Sequence, residues 1–124
     1  MKCLVIGSGR FLGPKVVEEL VYAKHEVALF DNVPPSSSVA SRVTHIMGDK
    51  GSLGFYKEEC CEFRPDVAIH LSASNRDEAL AFVETFEGVA QHLVVASNTN
   101  VYLAHARLRK TEPGPSVPVP INEK

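Results

Sequence analysis

The feature that most constrains this chain is a glycine-rich turn, Gly7-Ser8-Gly9-Arg10-Phe11-Leu12-Gly13, set between an apolar run and an amphipathic one. Cys3-Leu4-Val5-Ile6 reads as a buried strand. Pro14 with Val16, Val17 and Leu20 reads as a helix that starts just past the turn. A second apolar run, Val27-Ala28-Leu29-Phe30, ends on Asp31, 18 residues beyond Gly13. Strand, glycine turn, helix, strand and terminal acid, in that order, form the layout that binds a dinucleotide. The turn lets backbone approach a pyrophosphate, and the free N–H groups and dipole of the helix start favour its charge. Asp31 can accept hydrogen bonds from the adenosine ribose hydroxyls. The same residues also fit a plain strand-to-helix turn, with Asp31 capping the loop that follows.

Length and charge narrow the classes. The 124 residues suit one domain, and a net charge of −2 gives no whole-chain drive toward nucleic acid or an anionic membrane. No apolar stretch approaches the ~20 residues that span a bilayer, and no signal-peptide pattern opens the chain, so the expected location is the cytoplasm. Cys3, Cys60 and Cys61 make a poor disulfide framework, and the five histidines show no ligand spacing, so no metal site is expected.

Strand and helix signals alternate along the chain. Strands are expected at 2–7, 26–31, 43–48, 66–72 and 91–97, several as continuous apolar runs of the kind covered on both faces of a parallel sheet. Helices are expected at about 12–23, 52–63 and 75–87. The first carries Leu12, Val16 and Leu20 on one stripe, and the second Leu53, Tyr56, Cys60 and Phe63. The third carries Ala79, Leu80, Val83 and Phe86, with Arg76, Asp77, Glu78 and Glu84 toward water. Right-handed crossovers then give an α/β fold, a doubly wound parallel five-stranded sheet ordered 3-2-1-4-5. Residues 32–42 read as a flexible polar loop, and 103–109 as a short helix. The nucleotide-binding domain is expected over 1–110, with a proline-rich extended tail over 111–124.

Strand ends carry the candidate site. Gly7, Gly9, Arg10, Phe11, Leu12 and Gly13 form the phosphate turn, with Asp31 and Asn32 at the end of the second strand. Arg10 can fork onto a pyrophosphate, reach a 2′-phosphate or point into solvent. A 2′-phosphate beside Asp31 meets like charge, costing about 4 kcal/mol at ~4 Å and an effective dielectric of ~20. NAD is therefore favoured over NADP unless Arg10 or Arg42 compensates. Asp49 and Lys50, after the third strand, lie beside the adenine pocket. Asp49 can accept from the adenine amino group or join Ser52 in starting a helix. Leu71, Ser72 and Ala73 pass near the nicotinamide-side ribose, their small residues allowing backbone approach. The cluster Ala96-Ser97-Asn98-Thr99-Asn100-Val101-Tyr102, at the fifth strand's end, can orient a substrate or simply form a turn.

Together these landmarks resemble the extended short-chain dehydrogenase/reductase family, the NAD-dependent epimerases and dehydratases. The likeness runs over the whole chain, through Gly7–Gly13, His25-Glu26-Val27, Asp31, Gly48-Asp49, Pro65-Asp66-Val67, His70-Leu71-Ser72-Ala73 and Val101-Tyr102. Arg10-Phe11-Leu12-Gly13 and the short segment 73–90 are similar to a branch with bacterial epimerase-like and plant chloroplast stem-loop-binding proteins. The resemblance implies a Rossmann-type fold, NAD as cofactor and, in a longer chain, a nucleotide-sugar substrate. It also implies a tyrosine, paired with a lysine four residues on, that exchanges a proton with a substrate hydroxyl while nicotinamide carries hydride.

The chain departs from that pattern in two places. Registered on Val101-Tyr102, the substrate-orienting Ser/Thr position falls on Asn98, beside Ser97 and Thr99, and Asn98 cannot relay a proton as a hydroxyl does. No Tyr-x-x-x-Lys occurs, since Glu26, Cys60 and Ala106 lie four residues beyond the three tyrosines. Loss of the acid/base group alone costs ~10²–10⁴ in rate, so no meaningful turnover is expected from these residues alone. They read as part of a longer enzyme or as a short protein that keeps a nucleotide pocket. The apolar run Leu93-Val94-Val95-Ala96 would then be an open sheet edge that invites self-association. A scaffold that works by association is the competing function. A nucleic-acid-binding module, suggested only by the resemblance to stem-loop-binding proteins, is the weaker one, since the one basic cluster, Arg107, Arg109 and Lys110, is small.

Overall fold

The computed structural model describes residues 1–9, 11–97, 109–111 and 113–115. Arg10, Asn98, Thr99, the Val101-Tyr102 landmark, the helix expected at 103–109 up to residue 108, and most of the proline-rich tail lie outside the described residues.

Five strands, β1 (Lys2–Ile6), β2 (Glu26–Asp31), β3 (Val43–Met47), β4 (Val67–His70) and β5 (His92–Val95), form one parallel sheet ordered β3-β2-β1-β4-β5. Helix α1 (Gly13–Tyr22) links β1 to β2, α2 (Lys57–Glu62) precedes β4, and α3 (Arg76–Phe86) links β4 to β5. The chain leaves β1 toward one side of the sheet and β4 toward the other. The junction of β1 and β4 is therefore the topological switch point, where the carboxyl ends of such sheets leave a ligand crevice.

Alternation along the strands divides the core in two. Leu4, Ile6, Ala28, Phe30 and Ala68 face Leu53, Cys60, Phe82 and Phe86. Val5, Val27 and Leu29 face Val17, Val21 and Val39. Both faces of β1 and β2 are thus covered, which is why these strands read as unbroken apolar runs.

Several local expectations need correction. The buried stripe of α1 is Gly13, Val17 and Val21 rather than Leu12, Val16 and Leu20, and Leu12 is exposed. In α3 the buried residues are Phe82, Thr85 and Phe86, while Leu80 and Val83 face outward. The single helix expected at 52–63 is a 3-10 stretch, Lys50–Tyr56, followed by α2, with Ser52 at φ −110° and ψ 17° breaking regular geometry beside Gly51 and Gly54. Its apolar side holds nonetheless, since Leu53 and Cys60 are buried with Tyr56 and Phe63 packed against them. The loop 32–42 is pinned rather than free: Val39 is buried, a 3-10 turn spans Ala40–Arg42, and the Ser38 hydroxyl donates to Glu18 at 2.9 Å. Among the described residues, no helix is long and apolar enough to cross a membrane.

Phe82 packs its ring 5.4 Å from those of both His70 and Phe86, and so joins α3 to the sheet directly below the switch point. Phe82→Ala is expected to cost about 3–5 kcal/mol of folding stability, read as a fall in the urea midpoint with little change in slope.

Candidate functional site

The glycine turn is held by Asp31. Its Oδ2 accepts from the Gly9 amide at 2.8 Å and the Ser8 hydroxyl at 3.4 Å, and its Oδ1 accepts from the Val33 amide at 3.0 Å. One carboxylate thus joins the turn after β1 to the loop after β2. A carboxylate offers about four acceptor positions, so one is left for a ligand hydroxyl. His45 adds a contact from β3, with Nε2 3.1 Å from the Asp31 carbonyl.

Two glycines are required by close approach. Gly7 has φ +74°, and a Cβ there would lie 1.9 Å from the Ser72 hydroxyl oxygen at the end of β4. A Cβ on Gly13 would lie 2.1 Å from the Ser8 carbonyl oxygen. The first lets β1 and β4 meet at the switch point, and the second lets α1 start directly under the turn. No side chain caps α1, and Pro14 sits in its first turn. The free amides of that turn therefore have no capping side-chain acceptor.

A crevice of about 260 Å³ opens at this place. Of the residues expected at a cofactor site, it brings together Gly7, Gly9, Asp31, Asn32, Asp49, Lys50 and Ser72. Phe11, Leu12, Gly13, Leu71, Ala73 and Ser97 stand outside its lining. Phe11 is 95% exposed at φ +50°, and Leu71 donates its amide to the Ile6 carbonyl and packs on the Val5–Val17 side of the core. Asp49 does start the following 3-10 stretch, accepting from the Gly51 amide at 2.9 Å, and it lines the crevice as well. Arg42 donates to the Val21 carbonyl at 3.0 Å and lies over the Tyr22 ring, a position fixed by α1 rather than by the crevice.

Sequence reasoning missed Phe30, Val33 and Glu78. Phe30 and Val33 line the crevice but read as a core residue and a loop residue. Glu78, expected to face water, pairs with Lys50 at 3.1 Å, its side chain 15% exposed. Its burial raises the carboxyl, but the Ser74 amide and Lys50 outweigh that and hold it below the usual carboxylate range. The one available signal was Asn75 three residues ahead, an N-cap that accepts from the Glu78 amide at 2.9 Å.

His70, at the end of β4, is fully buried. Its Nδ1 lies 3.3 Å from the Ser72 amide, which donates to it. Burial, with Lys50 adding to it, holds the imidazole below its ordinary value despite the opposing Glu78.

No protein-family model and no curated protein matches the chain. Its fold is similar to that of UDP-glucose 4-epimerase from Thermotoga maritima, with 18% identity and a TM-score of 0.67, over 79% of this chain and 38% of that one. It is similar to dTDP-glucose 4,6-dehydratase from Bacillus anthracis in complex with NAD, with 18% identity and a TM-score of 0.70, over 82% and 39%. It is similar also to the Thermus thermophilus UDP-glucose 4-epimerase complex with NAD, with 25% identity and a TM-score of 0.60, over 72% and 35%. The chain thus shares its α/β fold with epimerases and dehydratases and spans under two-fifths of their length.

Gly13→Ala is expected to destabilise the chain by about 1–3 kcal/mol in urea melts, because the added Cβ meets rigid backbone rather than a side chain that can rotate. A pH dependence follows from His70. The folded chain keeps the ring neutral, whereas the unfolded chain binds a proton below the ordinary 6.5. Stability is therefore full above that value and declines as pH falls below it. Urea melts at about pH 7.5 and about pH 5.5 should differ for the natural chain and differ less for His70→Leu. Glu78 acts with the same sign only below its ordinary 4.5, so it does not contribute in that window.

Proposed function

We propose that this chain is the nicotinamide-dinucleotide-binding part of an epimerase/dehydratase-like oxidoreductase, with NAD preferred to NADP. The carrying observation is the crevice at the β1–β4 switch point, where Asp31 ties the glycine turn beside the uncapped start of α1. Diphosphate suits that helix start, and a ribose hydroxyl suits the remaining acceptor position of Asp31. The NAD complexes among proteins of this fold support the same ligand class. The preference for NAD rests on charge: a 2′-phosphate would meet Asp31, Arg42 is engaged with the Val21 carbonyl, and Arg10, outside the described residues, is the other arginine whose charge would offset that repulsion.

Asn98 and Thr99 keep the role of orienting a substrate, and a nucleotide-sugar substrate belongs to a longer chain. These 124 residues hold no Tyr-x-x-x-Lys, so the proposal is dinucleotide binding without turnover by these residues alone.

A second reading, an association scaffold, is favoured by β5, whose four residues are all exposed at the sheet edge. The two separate in one experiment, calorimetric titration of the chain with NAD and with NADP, with ultracentrifugation alongside. NAD should bind with saturable heat, and NADP about tenfold or more weaker, since each ~1.4 kcal/mol of repulsion is a factor of ten. Absence of heat with either cofactor, together with concentration-dependent oligomers, would reject dinucleotide binding in favour of the scaffold.

A further inference from the structure

The crevice holds two carboxylates, Asp31 and Asp49, and Lys50 is the one cation among its described lining residues. Lys50 does not extend freely into solvent. Its Nζ donates to the Ser72 carbonyl at 2.6 Å and to the Ser74 hydroxyl at 2.7 Å, and it pairs with Glu78 at 3.1 Å. An ammonium has three donors, so this set is full. The same Glu78 oxygen accepts from the Ser74 amide at 2.8 Å, which fixes the carboxylate where it meets the lysine. The lysine side chain is 31% exposed and the glutamate 15%, so solvent screens this pair less than an open surface pair. Two of the three acceptors on Lys50 are neutral, and only Glu78 offsets its charge.

We propose that Lys50 is a phosphate-recognising residue of this crevice, and that Glu78 limits the affinity by sharing the ammonium with the anionic ligand. The inference rests on the dinucleotide reading, which supplies the phosphates. An anionic ligand entering beside Asp31 and Asp49 needs a compensating positive charge. Lys50 provides it from a flexible stem and exchanges a neutral acceptor for a charged one, a stronger contact. Glu78 works against that exchange because it keeps a full negative charge on the same nitrogen. Removing the charge of Glu78 while keeping its shape leaves Lys50 with its neutral acceptors and strengthens its attraction for phosphate. A purely structural clasp predicts the reverse, since breaking it would loosen the loop after β4 and weaken binding.

The test is titration of the full 124-residue chain and its variants with adenosine, ADP-ribose and NAD. Lys50→Met should raise the Kd for ADP-ribose and NAD about tenfold, leave adenosine within about twofold, and flatten the loss of affinity with rising salt. Lys50→Arg should recover most of the loss. Glu78→Gln should bind ADP-ribose and NAD about two- to threefold more tightly, with adenosine unchanged. Equal binding of NAD by Lys50→Met and the natural chain, or weaker binding by Glu78→Gln, would overturn the inference while the dinucleotide reading stands. Should Lys50→Met not fold, the sign of the Glu78→Gln effect decides alone. Failure of the natural chain to bind NAD would remove the dinucleotide reading itself.

Discussion

The carboxylate of Asp31 holds the crevice end of the sheet together. Backbone amides in a tight turn need acceptors, and water would otherwise supply them. Here one side chain at the end of β2 accepts from Gly9 and Val33, in two loops that follow neighbouring strands. The turn is thereby fixed before any ligand arrives, and α1 starts in a defined direction. Gly7 and Gly13 complete the arrangement by permitting contacts that any side chain would block. The consequence for binding is preorganisation: the backbone does not have to be ordered when a phosphate arrives.

Charge around the crevice is balanced by pairing rather than by exposure. Lys50 meets Glu78, and the carboxylate of Asp31 is met by backbone donors. His70, buried beneath, is kept neutral by its surroundings. Cys60 follows the same logic on the apolar side, where burial pushes its thiol up to about 12. A thiol in that state is a small hydrophobe and a poor nucleophile. The reactive capacity of the described residues therefore lies at the strand ends and not in the core.

Much of this was legible in the sequence, and the exceptions have physical reasons. Continuous apolar runs revealed the strands because β1 and β2 are covered on both faces. The glycine turn and Asp31 pointed to the crevice end of the sheet because their spacing follows from backbone geometry. Periodicity did not distinguish the stripe Leu12, Val16, Leu20 from Gly13, Val17, Val21, since neighbouring positions in α1 are apolar on both. The glycine at position 13 tipped the choice, because only its face can lie against the Ser8 backbone. Glu78 read as a solvated acid because its partner stands 28 residues away, a contact that only the folded sheet creates. The 3-10 stretch before α2 read as helix because its apolar spacing is helical, although its glycines are not.

The position of β1 at the middle of the sheet makes its two pairings unequal in reach. Its register joins Cys3 to Val27 on one side and to Val67 on the other. Pairing with β2 closes a loop of modest length, whereas pairing with β4 must wait until that strand has been synthesised and brought back across more than half of this chain. Until then one rim of the first strand stays bare and apolar. On a ribosome, an apolar rim left unpaired is open to wrong partners. The last residues of β4 therefore serve a second purpose, as the seal that closes that rim.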